Sequence, residues 1–316
     1  EENFIGGKGI TKKEDIKETY IKSILESIKL NENLNISIDC GNGTAGVVAK
    51  DVYERLGCNV IELYGELDGS FPNHHPDPSK LENMEDLIKS VKENKCAVGL
   101  AFDGDADRLG VISPKGEMIF PDRQMIMFSR QVIQSSPNAK IVFDVKCSKL
   151  LSDEIEKLKG KPLICKTGHT FIKQKIRETN ALLGGEMSGH IFFNDRWPGF
   201  DDGIYAGARM LEIIANSEQD DPFVTVPNML STPEINIPSE DEEKFQIVKT
   251  FIENSNFSDA KIVNIDGIRV EFEKGWGLLR PSNTSPCLVL RFEAETNDDL
   301  NKIKEIFYSG LQSIKP

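Results

Sequence analysis

The chain has 316 residues, with 51 acidic against 38 basic side chains and a formal net charge of −13. That balance argues against a non-specific nucleic-acid or anionic-membrane binder, since both need a basic face, while the length allows two or three domains. No apolar run approaches the ~20 residues of a membrane span, and the six cysteines, none in a CxxC pair, read as buried thiols of a cytoplasmic protein.

Residues 15–30 place Ile16, Tyr20, Ile24 and Ile28 at helical spacing. The stretch NISIDCGNGTAGVVAKDVYERLGCNVIELYG then predicts strand, Gly-rich turn, a helix over 47–56 and a second strand. A helix over 81–93 follows, then a buried strand in CAVGLAF, a strand in LGVIS and a helix over 122–134. From residue 139 the alternation repeats: strand KIVFDV, helix 149–158, strand PLICKTG, helix 169–178, short strands in ALLGGE and GHIFF, and helix 202–215. Residues 216–233 are polar and proline-containing and read as a linker. Beyond them, strands EINIP, KIVNI, GIRVEF and CLVLRFEA join two helices, EEKFQIVKTFIEN and 298–311. The expected fold class is α/β: two three-layer α/β domains plus a smaller C-terminal α+β domain.

Five loops carry candidate chemistry. In AFDGDADRLG, Asp103, Asp105 and Asp107 leave an apolar strand and can each send one carboxylate to the same point. Carboxylates that close raise one another's pKa unless a cation neutralises them. An all-carboxylate set suits Mg²⁺ or Ca²⁺, with positions left open for a phosphate. An EF-hand is excluded, because Arg108 and Pro114 stand where its sixth-position Gly and twelfth-position Glu belong. A solvated acidic turn is the alternative. Arg280, Ser282, Asn283 and Thr284 in LLRPSNTSP form either a phosphate cradle or a polar hairpin turn. Glu186, Ser188 and His190 in GGEMSGH suit vicinal sugar hydroxyls, although a Gly-rich hairpin looks similar. Lys146 ends a strand in DVKCS and His169 starts a helix in KTGHTFIK, positions that face ligands in α/β domains and also hold ordinary surface or capping residues. His74 and His75 are neighbours on an extended segment and point opposite ways, so FPNHHPDP reads as a structural loop.

In this order, DCGNGTAG, FPNHHPDP, AFDGDADRLG, DVKCS, KTGHTFIK, GGEMSGH, GFDDGIYAGARMLE and LLRPSNTSPCLVLRFEAET resemble the α-D-phosphohexomutase superfamily, most closely its phosphomannomutase/phosphoglucomutase branch. The resemblance implies a phosphoserine enzyme that moves phosphate between C1 and C6 of mannose or glucose phosphate through a hexose 1,6-bisphosphate. It makes Asp103, Asp105 and Asp107 the Mg²⁺ ligands, and places Arg108, Lys146 and His190 among the catalytic residues. It gives His169, Glu186 and Ser188 to the substrate, and Arg280, Ser282, Asn283 and Thr284 to the phosphate that does not react. GEMSGH and RPSNTSP favour this branch over phosphoglucosamine mutase, which typically shows GEQSGH and an SGTEP-type loop. The implied units are 35–136 with the metal loop, 137–230 with the sugar loop and 231–316 with the phosphate loop. Residues 1–34 would be the tail of a preceding domain and its connecting helix, and a monomer or weak homodimer is expected.

One departure is sharp. The superfamily carries its phosphoserine in a loop resembling TASHNP, and no SHNP string occurs here. A truncated or proteolysed mutase fits, as does a sequence that omits a native segment, and the chain alone is expected to be inactive. A non-catalytic sugar-phosphate-binding module is the rival reading, and a metal-dependent phosphatase a more distant one.

Overall fold

A computed structural model describes residue 7 and residues 9–257 and 260–314. The segment 1–34, read as the tail of a preceding domain and its connecting helix, therefore lies partly outside the described residues, and its first helix is α1 (Lys17–Ser27). This helix is two-sided: Ile21 and Ile24 are buried, Lys22 is exposed, and Lys17 pairs with Asp51 at 2.8 Å.

The first unit contains β1 (Asn35–Asp39), α2 (Ala49–Arg55), β2 (Asn59–Leu63), α3 (Glu85–Glu93), β3 (Val98–Phe102), β4 (Leu109–Ile112), β5 (Met118–Ile119) and α4 (Pro121–Ser135). Its sheet runs β2-β1-β3-β4-β5. The first three strands are parallel, and β4 and β5 return antiparallel. All five residues of β3 are buried, as a central strand covered on both faces requires. The predicted helix 47–56 starts later than expected, because Thr44–Val47 forms a 3-10 turn first.

The second unit contains β6 (Lys140–Asp144), α5 (Lys149–Lys157), β7 (Lys161–Cys165), α6 (His169–Thr179), β8 (Leu183–Gly185), β9 (Ile191–Phe193) and α7 (Gly203–Ala215). Its sheet runs β7-β6-β8-β9 with the same sense, parallel for three strands and antiparallel for the last. The two units thus share one plan although no repeat is visible in their sequences. In both, the third and fourth strands form a tight hairpin: β3–β4 carries Asp103–Arg108, and β8–β9 carries Glu186–His190.

One continuous apolar core joins these units, running from Ile21 through α4 and α7 to Val226. Phe223 and Val226, within the stretch read as a polar linker, are buried in it. Two apolar side chains among polar neighbours suffice to anchor that segment, a signal too short for periodicity to reveal. The last unit holds β10 (Leu230–Ser231), β11 (Ile235–Pro238), α8 (Glu243–Asn254), β12 (Lys261–Val263), β13 (Ile268–Phe272), β14 (Gly275–Pro281), β15 (Cys287–Ala294) and α9 (Asn297–Gln312). Its sheet is antiparallel, and β10 and β11 both pair with β15. A separate core around Phe251, Phe292 and Phe307 packs the two helices on one face. The expected class, two α/β units and a smaller α+β unit, is the one observed. Among the described residues, no helix is long and apolar enough to cross a membrane.

Candidate active site

The hairpin between β3 and β4 turns through Ala106, whose φ of +64° lies in the left-handed region. That turn gathers one carboxylate oxygen each from Asp103, Asp105 and Asp107 within 4.8 Å of one another. Asp103 is buried and its position is set by Arg108, whose backbone N–H donates to Oδ1 at 3.0 Å and whose Nε donates to Oδ2 at 2.5 Å. Arg108 is held in turn by Asp77 of FPNHHPDP, at 3.3 Å. The same loop is pinned by His74, whose Nε2 lies 3.0 Å from the buried Asp39. His74 is thus structural, while its neighbour His75 points elsewhere.

Burial, then the neighbouring Asp103 and Asp105, push the Asp107 carboxyl up to about 6, against the opposing pull of His190. Among the described residues its buried Oδ1 takes no hydrogen bond, and only the charge of His190 Nδ1, 3.3 Å away, faces it. Three crowded oxygen donors and an orphaned carboxylate oxygen fit a hard divalent cation such as Mg²⁺.

The second hairpin meets the first edge to edge. Arg108 and His190 form an antiparallel bridge, and the Leu109 N–H donates to the Gly189 carbonyl at 3.1 Å. Gly189 itself has φ +105°, a conformation that favours glycine and closes the GEMSGH turn. His190 Nδ1 stands 3.3 Å from Asp107 and 3.1 Å from Asp201. Burial pushes His190 down, but Asp201, Asp107 and Glu186 more than offset it, so the imidazole titrates above its usual range. Asp201, despite burial, is held well below the usual carboxylate range by His190 and Lys173, the latter at 3.0 Å. His169 stacks on His190 with ring centroids 5.6 Å apart and approaches the same Asp201 at 3.5 Å.

Glu186 lies at the head of this hairpin, 2% exposed, and accepts from the Gly168 N–H at 2.5 Å. Burial first, then Asp144, raises its carboxyl to about 7. Thr167 links this region to the last unit. Its N–H donates to Asp266 at 3.1 Å, and its carbonyl accepts from Asn283 Nδ2 at 3.4 Å. Asp266 also accepts from Arg280 Nε at 3.0 Å, and the buried Nη2 of Arg280 has no hydrogen-bond partner among the described residues. In the same loop the Ser282 hydroxyl accepts from the N–H groups of Thr284 and Ser285, at 3.3 and 3.1 Å.

Lys146 projects from the end of β6 into a cavity of about 610 Å³, whose lining includes Met187 and Ser188 of the GEMSGH turn, Phe120, Glu234 and Arg291. Its Nζ donates to Glu234 at 2.7 Å. Burial pushes Lys146 down, but Asp144 and Glu234 outweigh it and keep the ammonium protonated. A second cavity, of about 570 Å³, opens on Asp105, Asp107 and Asp201.

The structure therefore brings Asp103, Asp105, Asp107, Arg108, His169, Glu186 and His190 into one connected cluster. Arg280, Ser282, Asn283 and Thr284 abut it through Thr167, while Lys146 and Ser188 share the adjoining cavity. Five further residues belong to this arrangement and were not singled out by sequence: Asp77, Asp144, Asp201, Glu234 and Asp266. Asp77 and Asp201 fall inside the quoted motifs FPNHHPDP and GFDDG, and Asp266 in a DG turn, but nothing local marks their partners.

Residues 18–116, 120–224 and 234–309 match, respectively, alpha/beta/alpha domain II, alpha/beta/alpha domain III and the C-terminal domain of phosphoglucomutase/phosphomannomutase. A phosphomannomutase/phosphoglucomutase of Pseudomonas syringae is 49% identical over 99% of this chain and 68% of its own length. A phosphoglucomutase of Neisseria gonorrhoeae is 47% identical over 97% of this chain and 67% of its own. A crystal structure of a phosphoglucomutase/phosphomannomutase family protein from Burkholderia thailandensis superposes with a TM-score of 0.91 at 44% identity, covering 96% of this chain and 65% of that one. The chain thus spans about two thirds of the length of these relatives.

Proposed function

Because this chain belongs to the phosphoglucomutase/phosphomannomutase family, we propose that it supplies the metal, sugar and phosphate loops of a mutase that moves phosphate between C1 and C6 of glucose or mannose phosphate. The observation that carries this reading is the contact of three loops from three separate units. The Arg108–His190 bridge couples the first two, and Asn283 and Asp266 tie the third to Thr167.

Each loop has chemistry suited to its share. Arg280 presents a buried N–H with no partner among the described residues, and the Ser282 and Thr284 hydroxyls stand in the same turn, a donor set suited to a phosphate monoester. Glu186 accepts from hydroxyls and Ser188 can donate to them, and neither distinguishes the two C2 epimers. Asp103, Asp105 and Asp107 would hold Mg²⁺, which supplies charge neutralisation at a phosphoryl oxygen. Arg108, fixed by Asp103 and Asp77, adds a second positive charge beside that point, and Lys146 a third in the adjoining cavity. His190, its proton stabilised by Asp107 and Asp201, can carry a proton beside the sugar. The donor serine of an SHNP-type loop is absent from the sequence, so binding and charge neutralisation are assigned to this chain and turnover is not.

Calorimetric titration of glucose 1-phosphate and mannose 1-phosphate with Mg²⁺ tests the reading. The chain is expected to bind both, Arg280→Met to bind them about 10- to 100-fold more weakly, and Asp103→Asn to lose the dependence on Mg²⁺. Binding insensitive to both substitutions would overturn the assignment. Substantial turnover of either sugar phosphate by the chain, with hexose 1,6-bisphosphate added, would contradict the expectation that the chain alone is inactive.

A further inference from the structure

The loop that carries Lys146 is gripped by the C-terminal sheet. Arg269 on β13, 1% exposed, donates from Nη1 to the carbonyl oxygens of Val145 at 2.8 Å and Cys147 at 2.6 Å. Arg291 on β15 donates from Nη1 to the Lys146 carbonyl and from Nη2 to Asp122 at 3.2 Å. Three consecutive carbonyls therefore end on two buried guanidinium groups.

The following residues are held as well. The Ser148 N–H donates to Asp122 at 3.0 Å, and its hydroxyl donates to Glu293 at 2.8 Å. The Lys149 N–H reaches the same Glu293 oxygen at 3.3 Å. Trp276 on β14 is the platform: the Arg269 guanidinium stacks 3.9 Å from its ring centroid, that of Arg291 lies at 5.8 Å, and the indole N–H donates to Glu293.

Strand alternation explains how one sheet does this. Val270, Leu290 and Phe292 point into the core beneath α8 and α9, while Arg269, Trp276, Arg291 and Glu293 alternate onto the opposite face. That face would ordinarily be solvated. Here it is a polar clamp, and burying two guanidinium groups is tolerable only because carbonyls, carboxylates and an aromatic face meet them. The C-terminal segment also contacts the far end of Lys146, through Glu234 at 2.7 Å.

We propose that Arg269 and Arg291 are positioning residues: by holding the main chain of 145–147 they set where the Lys146 ammonium stands in the ligand cavity. The unit that presents Arg280 to phosphate thereby also places Lys146, and the two cations are located by one rigid sheet. This rests on the reading of Lys146 as a hexose-phosphate contact.

Glucose 1-phosphate with Mg²⁺, titrated into the full 316-residue chain, tests both layers separately in wild type, Lys146→Met, Arg269→Lys, Arg291→Lys and the two double variants. Lysine keeps the charge but lacks the planar fork that spans two acceptors. Each Arg→Lys change is expected to weaken binding about tenfold, and to add nothing once Lys146 is Met. The same loss in both backgrounds, or no loss in either, overturns the proposal while leaving Lys146 in the site. Wild-type affinity in Lys146→Met removes Lys146 from the site, and the proposal falls with it. If either Arg→Lys chain fails to unfold cooperatively, Trp276→Phe replaces it in the cycle. That change keeps an aromatic platform but removes the N–H to Glu293, and the same loss-and-disappearance pattern is expected.

Discussion

Replacing Glu186 by Gln should strengthen the fold at neutral pH while weakening the site. The carboxyl is 2% exposed, and burial followed by Asp144 raises it from its ordinary 4.5 to about 7. At about 1.4 kcal/mol per tenfold change in proton affinity, that rise sets about 3 kcal/mol against the ionised form in the folded state. A raised folded-state value means the contribution is fully present below about 4.5 and is lost as pH rises through about 7. Gln is isosteric and never ionises. Its carbonyl can still accept from the Gly168 N–H, with about 1 kcal/mol lost because the acceptor is no longer charged. The variant should therefore be about 2 kcal/mol more stable than wild type at pH 8, and no more stable at pH 5. Urea unfolding followed by tryptophan fluorescence at the two pH values measures this directly. The same protein should bind glucose 1-phosphate about 10-fold or more weakly, since an amide cannot replace a carboxylate that accepts from two hydroxyls. A variant less stable at pH 8 than at pH 5, relative to wild type, would refute burial as the dominant influence on this carboxyl. Undiminished sugar-phosphate affinity would refute its contact with the sugar.

Two further outcomes follow from the loops beside it. His74 is raised from 6.5 to about 9, chiefly by its hydrogen bond to Asp39, so its contribution is complete below 6.5 and disappears as pH passes about 9. His74→Asn should accordingly cost about 1 to 2 kcal/mol in urea unfolding at pH 6 and almost nothing at pH 10; an equal cost at both would refute the ion pair. At Gly203, the first residue of α7, an added Cβ would meet the Arg108 carbonyl oxygen at 2.6 Å and that of Ala106 at 2.9 Å. Neither backbone can yield without moving the Asp103–Arg108 turn, so Gly203→Ala should destabilise by about 1 to 3 kcal/mol and weaken the proposed Mg²⁺ binding in the same calorimetric titration. Destabilisation with unaltered Mg²⁺ affinity would show that the loop holds its shape independently of α7.

Much of this protein is legible locally. Helix periodicity in 15–30, the buried run feeding Asp103, and the glycine-punctuated turns of GGEMSGH and LLRPSNTSP are short-range features, and each lies in the element expected. The eight motif strings in order pointed to the family to which the chain belongs. Periodicity misread 216–233, where Phe223 and Val226 join the core, and passed over two-residue strands such as Met118–Ile119, which are too short to show a period.

Other properties depend on what folds against what. Spacing places Asp103, Asp105 and Asp107 together, but only the meeting of two equivalent hairpins sets Asp107 beside His190 and Asp201. The displaced carboxyl of Glu186 comes from burial and from Asp144, 42 positions earlier by their residue numbers. The clamp on Lys146 joins partners 122 to 169 positions apart. A residue's type announces what it can donate, accept or ionise, whereas desolvation and the direction of a hydrogen bond arise from neighbours distant in the chain. For that reason Arg269, Trp276 and Arg291 look in the sequence like ordinary strand residues, and only the tertiary structure reveals what they hold.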